Sequence, residues 1–188
     1  MEDSYRNCGT IQQVRRRLTG VAATFTSDSV SNHRNKTMGQ FTATAEFNCP
    51  PSALRDLLGD PCKFEASTDP DAEFELIAAP RRATVGEELA FSIVTGGFRQ
   101  VLRHRWVVVD DLEITVEQVD GPTQSWRHAQ VITETPTGCT LTETMTFEPP
   151  PGMLGFVVTE AAIMKSLEAG TAVRHQLLGE QLVASQPA

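Results

Sequence analysis

At 188 residues with 40% hydrophobic side chains, the chain has material for one domain with a real core plus an extra segment. The net charge of −8 is uneven: residues 1–37 hold six basic and three acidic side chains, a net +3, which leaves −11 on residues 38–188. An acidic body excludes nucleic acid, which selects a basic face, and simple electrostatic docking on anionic membranes.

No apolar run approaches the ~20 residues a membrane helix needs, and the N-terminus lacks the hydrophobic stretch of a signal peptide. Four cysteines (Cys8, Cys49, Cys62, Cys139) are widely spaced, with no CxxC pair, so neither a structural zinc nor a redox motif is expected. The default setting is reducing and cytoplasmic. No nucleotide-binding glycine motif, nucleophile elbow or zinc spacing is present, and no cofactor or metal is expected.

In chain order, residues 1–37 are rich in Ser, Thr, Asn and Arg without a sustained period. They read as a disordered leader, or as a mis-assigned start with Met38 the first residue. The alternative is an Arg- and Ser-rich targeting peptide, against which Glu2, Asp3 and Asp28 stand. Residues 41–47 alternate Phe41, Ala43, Ala45 and Phe47 with Thr42, Thr44 and Glu46, a half-buried strand. Pro50-Pro51-Ser52 opens a short helix over 52–58, stopped by Gly59-Asp60-Pro61. Residues 60–72 are polar and irregular.

Further strands follow over 73–79, 88–95, 100–109, 112–119, 125–134 and 139–148. Asp110-Asp111, Asp120-Gly121-Pro122 and Pro136-Thr137-Gly138 supply turns. Short turns between successive strands predict an antiparallel meander. After Pro149-Pro150-Pro151-Gly152 the pattern becomes helical from Leu154 to about Val183. Phe156, Ile163, Met164, Leu167, Leu178 and Leu182 form its apolar stripe, which also takes in Glu160 and Arg174; His175 falls off it. Gly170 and Gly179 weaken the helix and predict a bend or an early end.

Four local features resemble the helix-grip superfamily of START lipid-transfer domains, pathogenesis-related plant proteins and polyketide cyclase or dehydrase-like proteins. Its small bacterial-type ligand-binding members are the nearest likeness. Gly121-Pro122 leads into Ser125-Trp126-Arg127-His128, similar to the family's GP…WRH strand. Thr142-Glu143-Thr144-Met145-Thr146-Phe147-Glu148-Pro149-Pro150 is similar to its last strand, with an acid where Asp is usual and Phe where Tyr is usual. Gly152-Met153-Leu154-Gly155 resembles its lead-in to the helix. Ala172-Val173-Arg174-His175 resembles its late-helix xYRH, with Val173 in place of the aromatic. The likeness spans about residues 38–183 and is specific from Gly121 onward. It implies an α+β helix-grip fold, a curved antiparallel sheet of about seven strands wrapped around a long C-terminal helix. Residues 38–188 would then be a single ligand-binding domain with a hydrophobic cavity.

If the last two strands share an inner face, Trp126, His128, Gln130 and Ile132 join Leu141, Glu143, Met145 and Phe147, with Gln130 near Glu143. A carboxylate there is costly unless paired. His128 and Glu143 therefore read as ligand-holding groups, as a general acid/base pair, or as an internal network completed by Arg174. The same Arg174 could instead hold an acidic ligand group, or lay its stem along the core and put its head in water. His104 and Trp106 either line the cavity or pack the core. With Phe91, Met145, Phe147, Met164 and Leu167 they complete the candidate lining. Arg99, Arg103 and Arg105 read as a solvated outer face opposite Glu113 and Glu117.

The expected function is binding or carriage of a small hydrophobic ligand (lipid, aromatic or polyketide-like) by a monomer or small homodimer, without obligatory catalysis. The enzyme alternative is a cyclase, aromatase or dehydratase using His128 and Glu143 for proton transfer. A third reading is an interaction protein with a filled cavity.

Overall fold

A pleated strand sends alternate side chains to opposite faces. Phe41, Ala43, Ala45 and Phe47 are accordingly all buried, while the residues between them are not. Repeated strand by strand, this alternation builds one curved sheet with an apolar inner face. The computed structural model describes residues 23–32, 36–95, 97–152, 155 and 158–185.

The elements are β1 (Ala23–Asn32), β2 (Lys36–Phe47), α1 (Pro51–Leu58), β3 (Glu75–Ala78), β4 (Glu88–Thr95), β5 (Phe98–Val109), β6 (Glu113–Asp120), β7 (Ser125–Thr135), β8 (Gly138–Glu148) and α2 (Glu160–Ala184). The strands form one antiparallel sheet in the order β1-β2-β8-β7-β6-β5-β4-β3. The seven strands expected from the sequence are β2 to β8, and the helix-grip arrangement of sheet and terminal helix is present. Register irregularities between β5 and β6, at Arg103/His104 and Trp106/Val108, mark bulges that bend the sheet.

An eighth strand lies where a leader without regular structure is expected. Residues 23–32 pair with β2 from Ala23↔Ala45 to Asn32↔Lys36, and β2 itself begins two residues before Met38. Backbone groups make this pairing along an edge that β2 would otherwise leave open, which is why no hydrophobic period announces it. Residues 1–22 lie outside the described residues.

Pro51 at the first helical position suits α1, whose Leu54 and Leu58 are buried. The expected irregular stretch holds three single 3-10 turns: Pro61–Lys63, Glu65–Ser67 and Pro70–Ala72. Asp60 and Asp69 cap the first and third through the backbone N–H groups of Cys62 and Asp71. Cys62 is disulfide-bonded, against the expectation of reduced thiols. Cys49 and Cys139 are free and buried, with sulfurs 3.8 Å apart.

α2 starts later than expected. Thr159 caps it by accepting from the Ala162 N–H, and it runs through Gly170 and Gly179 to Ala184. Phe156, a member of the expected stripe, lies outside the described residues. The arginine partners on the outer face also differ. Arg99 pairs with Glu73 and Glu75, and Arg103 and Arg105 pair with Glu88. The register places Glu88 beside Arg105 on one side, while Glu117 on the other side is taken by Arg127.

The interior has two apolar parts. In the first, Trp106, Ile114, Leu141, Leu178 and Leu182 pack with Leu54 and Leu58 of α1. In the second, Phe41, Ala43 and Met145 of the sheet meet Trp126, Met164 and Leu167.

Candidate functional site

Gln130 of β7 and Glu143 of β8 are direct cross-strand partners, as the pleat predicts, and His128 stands two residues along opposite Met145. Glu143 is fully buried. Its Oε1 accepts from Gln130 Nε2 (3.0 Å), Arg174 Nε (3.0 Å) and His128 Nε2 (3.1 Å). Its Oε2 accepts from His175 Nε2 (2.7 Å). Two strands and α2 therefore converge on one carboxylate. Burial opposes its charge, but the Arg174 guanidinium and the hydrogen bonds from His128 and His175 outweigh burial. Its pKa is held well below the usual carboxylate range.

An ionised carboxylate that is already met by four donors is an anchor and a poor base. Because it only accepts, the hydrogens of His128 and His175 sit on Nε2. It fixes both rings and the Arg174 fork, whose Nη1 also donates to Ser67 Oγ at 3.0 Å. His128 and Arg174 remain partly open, with side chains 17% and 14% exposed.

The apolar stripe leaves His175 out, and the structure corrects this: the ring is fully buried. Thr171, His175, Leu178 and Leu182 are the buried positions of α2. Their spacing of four, three and four is a helical face. That signal is in the sequence, hidden because two of its members are polar.

Two hollows of similar size lie among the described residues. One, about 350 Å³, lies between α1 and the end of α2, lined by Cys49, Leu57 and Leu182 among others. The other, about 400 Å³, is open to solvent between α2, β4, β8 and the 3-10 turns. Only the second includes a member of the Glu143 cluster, Arg174, and it is the chemically equipped one. Met145, Leu167, Ile93 and Thr171 also line it.

The structure separates the other candidates. Phe91 and Trp106 are packed in the first apolar part. His104 sits edge-on to Phe91, with centroids 5.1 Å apart. Burial first, and the neighbouring His128 second, lower its pKa to about 4. Phe147 is fully buried and stacks on Trp126 (5.7 Å). Gly39 faces this ring in register, and a Cβ there would stand 2.5 Å from Phe147 Cζ. Met164 packs near Met145. Ile93, Ser67 and Thr171 line the hollow and are absent from the sequence candidates: Ser67 sits in a 3-10 turn without periodic signal, Thr171 is a polar member of the buried face of α2, and Ile93 on β4 reads as ordinary core.

No helix among the described residues is long and apolar enough to cross a membrane. No family model matches the sequence, and no curated protein matches it. Solved structures do. Ara h 8.0201 aligns with TM-score 0.58 at 10% identity, over 79% of this chain and 99% of that one. TTHA0849 from Thermus thermophilus aligns with TM-score 0.58 at 16% identity, over 79% and 99%. The di-domain ARO/CYC protein StfQ of the steffimycin biosynthetic pathway aligns with TM-score 0.60 at 15% identity, over 76% of this chain and 50% of its own. At these identities the likeness is one of fold, and it agrees with the helix-grip arrangement of sheet and terminal helix described above.

Proposed function

We propose that the protein binds a small, largely apolar molecule in the hollow beside α2, and that the Glu143 cluster orients its polar end without performing chemistry. One observation carries this reading. A fully buried, four-fold hydrogen-bonded carboxylate holds Arg174 rigidly at a hollow of about 400 Å³ lined by Met145, Leu167 and Ile93. An apolar pocket with a few fixed polar groups is the usual form of a small-molecule site. The depressed pKa of Glu143 weighs against proton transfer at that residue, since a general base works best with a pKa near the operating pH.

The cyclase-like alternative keeps one specific support, the partly open His128 held by a carboxylate. A fold shared with an ARO/CYC protein adds analogy only. Native mass spectrometry of the purified protein tests the binding reading: a co-purifying apolar ligand, lost on Met145→Phe, is expected. Absence of any bound species, together with no uptake of added aromatic probes, contradicts it. A ligand that the wild type converts and His128→Ala leaves unchanged establishes the enzyme reading instead.

A further inference from the structure

Arg174 offers more than a tether. Its Nε donates to Glu143 and its Nη1 to Ser67. Nη2, with two N–H groups, has no partner among the described residues. The side chain is 14% exposed and lines the hollow, and Nη2 is not sealed off from it. Two bonds on the same guanidinium fix where Nη2 points.

Two of the hydroxyls beside Arg174 already donate elsewhere, while those of Ser166 and Thr171 also line the hollow. Ser67 Oγ donates to backbone carbonyls at Lys63 and Phe64, and Thr68 Oγ1 donates to Phe64 O. The charge is spent. Glu143, fully buried 3.0 Å from Arg174 Nε, compensates the guanidinium from behind. Asp69 and Asp71 stand on the lining of the hollow.

From this charge-compensated donor we infer that the ligand presents an uncharged oxygen acceptor, a carbonyl, to Arg174 Nη2, and that the site discriminates against carboxylates of the same shape. The inference rests on the binding reading above and adds the chemical class of the ligand's polar end. A carboxylate would bring a second negative charge to a cation that already has one, in a hollow edged by two aspartates. A ketone, ester or lactone oxygen takes the free N–H without that repulsion. Orienting Nη2 beforehand lowers the ordering cost of the bond.

Three probes of one shape test this on the unaltered protein by calorimetric titration: 2-acetonaphthone, 2-naphthoate and 2-ethylnaphthalene. The ketone is expected to bind at least about tenfold more tightly than the carboxylate at neutral pH. Glu143→Gln keeps the side-chain shape but uncovers the guanidinium charge, so the ratio should shift toward 2-naphthoate by about tenfold or more. The carbonyl-labelled ketone gives a reading that needs no variant, because its ¹³C resonance should move downfield on binding to the wild type. Equal or tighter binding of 2-naphthoate by the wild type, or an unmoved carbonyl resonance, overturns the inference while 2-ethylnaphthalene binding leaves the binding reading standing. If none of the three binds, the binding reading itself falls and takes the inference with it.

Discussion

The two apolar parts of the interior are built from similar residues and end up in different states. Toward the end of α2, Trp106, Ile114, Leu141 and Leu178 are each at most 1% exposed, and α1 closes over them with Leu54 and Leu58; the hollow of about 350 Å³ at that end is lined by none of these six and includes Asp56, Asp60, Lys63 and Arg82. Toward its start, Met145 is buried, but Met164, Leu167 and Trp126 are only partly so, and a hollow of about 400 Å³ opens beside them. The Glu143 cluster contacts both surroundings, through His175 on the filled side and Arg174 on the open one. What differs is the cover. One side has a helix with two leucines; the other has 3-10 turns whose side chains are mostly polar. Filled space gives stability, and uncovered space with a fixed donor can give binding.

Truncation in the filled part should therefore cost most. Trp106→Ala is expected to destabilise by about 3–5 kcal/mol in chemical denaturation, since it empties a site of close packing. A loss below about 1 kcal/mol would mean that this part is looser than described. Glu143→Gln should cost about 1–3 kcal/mol, because His128, His175 and Gln130 lose an ionised acceptor. It should also alter acid stability. The folded pKa of Glu143 is depressed, so its contribution is present above the ordinary glutamate value and lost as pH falls through the lowered value. The variant should lack this loss.

His104 gives a separate window. Its pKa is about 4 when folded against an ordinary 6.5. Between those values the unfolded chain binds more protons, and stability falls as pH falls. Thermal melts at pH 7 and pH 5 should show this slope in the wild type and a flatter one in His104→Phe. On the open side, Met145→Phe should change stability by less than about 1.5 kcal/mol and yet remove probe binding. The smallest effect is expected from Gly170→Ala: nothing lies within 4 Å of the added Cβ. Removing a helical glycine should stabilise by about 0.5–1 kcal/mol.

Much of the fold is legible in the sequence because one face of each strand is buried. The alternation from Phe41 to Phe47 marks the inner face of β2, and the same pleat places Gln130 against Glu143 from the residue order alone. Features that rest on backbone pairing or local irregularity are not legible. β1 has no hydrophobic period because its place depends on the open edge of β2. Alternation puts Thr115 outward, yet it is fully buried beside the bulge at Trp106/Val108, where simple alternation fails. The start of α2 follows the Thr159 cap rather than the last proline. In the cluster, the sequence points to three of the four donors to Glu143. His175 escapes because an apolar stripe discounts a buried polar residue.

The contrast between a filled and an open interior can be read residue by residue from methyl NMR spectra of the protein titrated with 2-acetonaphthone. The methyl signals of Met145, Met164 and Leu167 should move, while those of Leu54, Leu58 and Leu178 stay in place. Movement confined to the second set, or no movement in either, would contradict a ligand site beside α2.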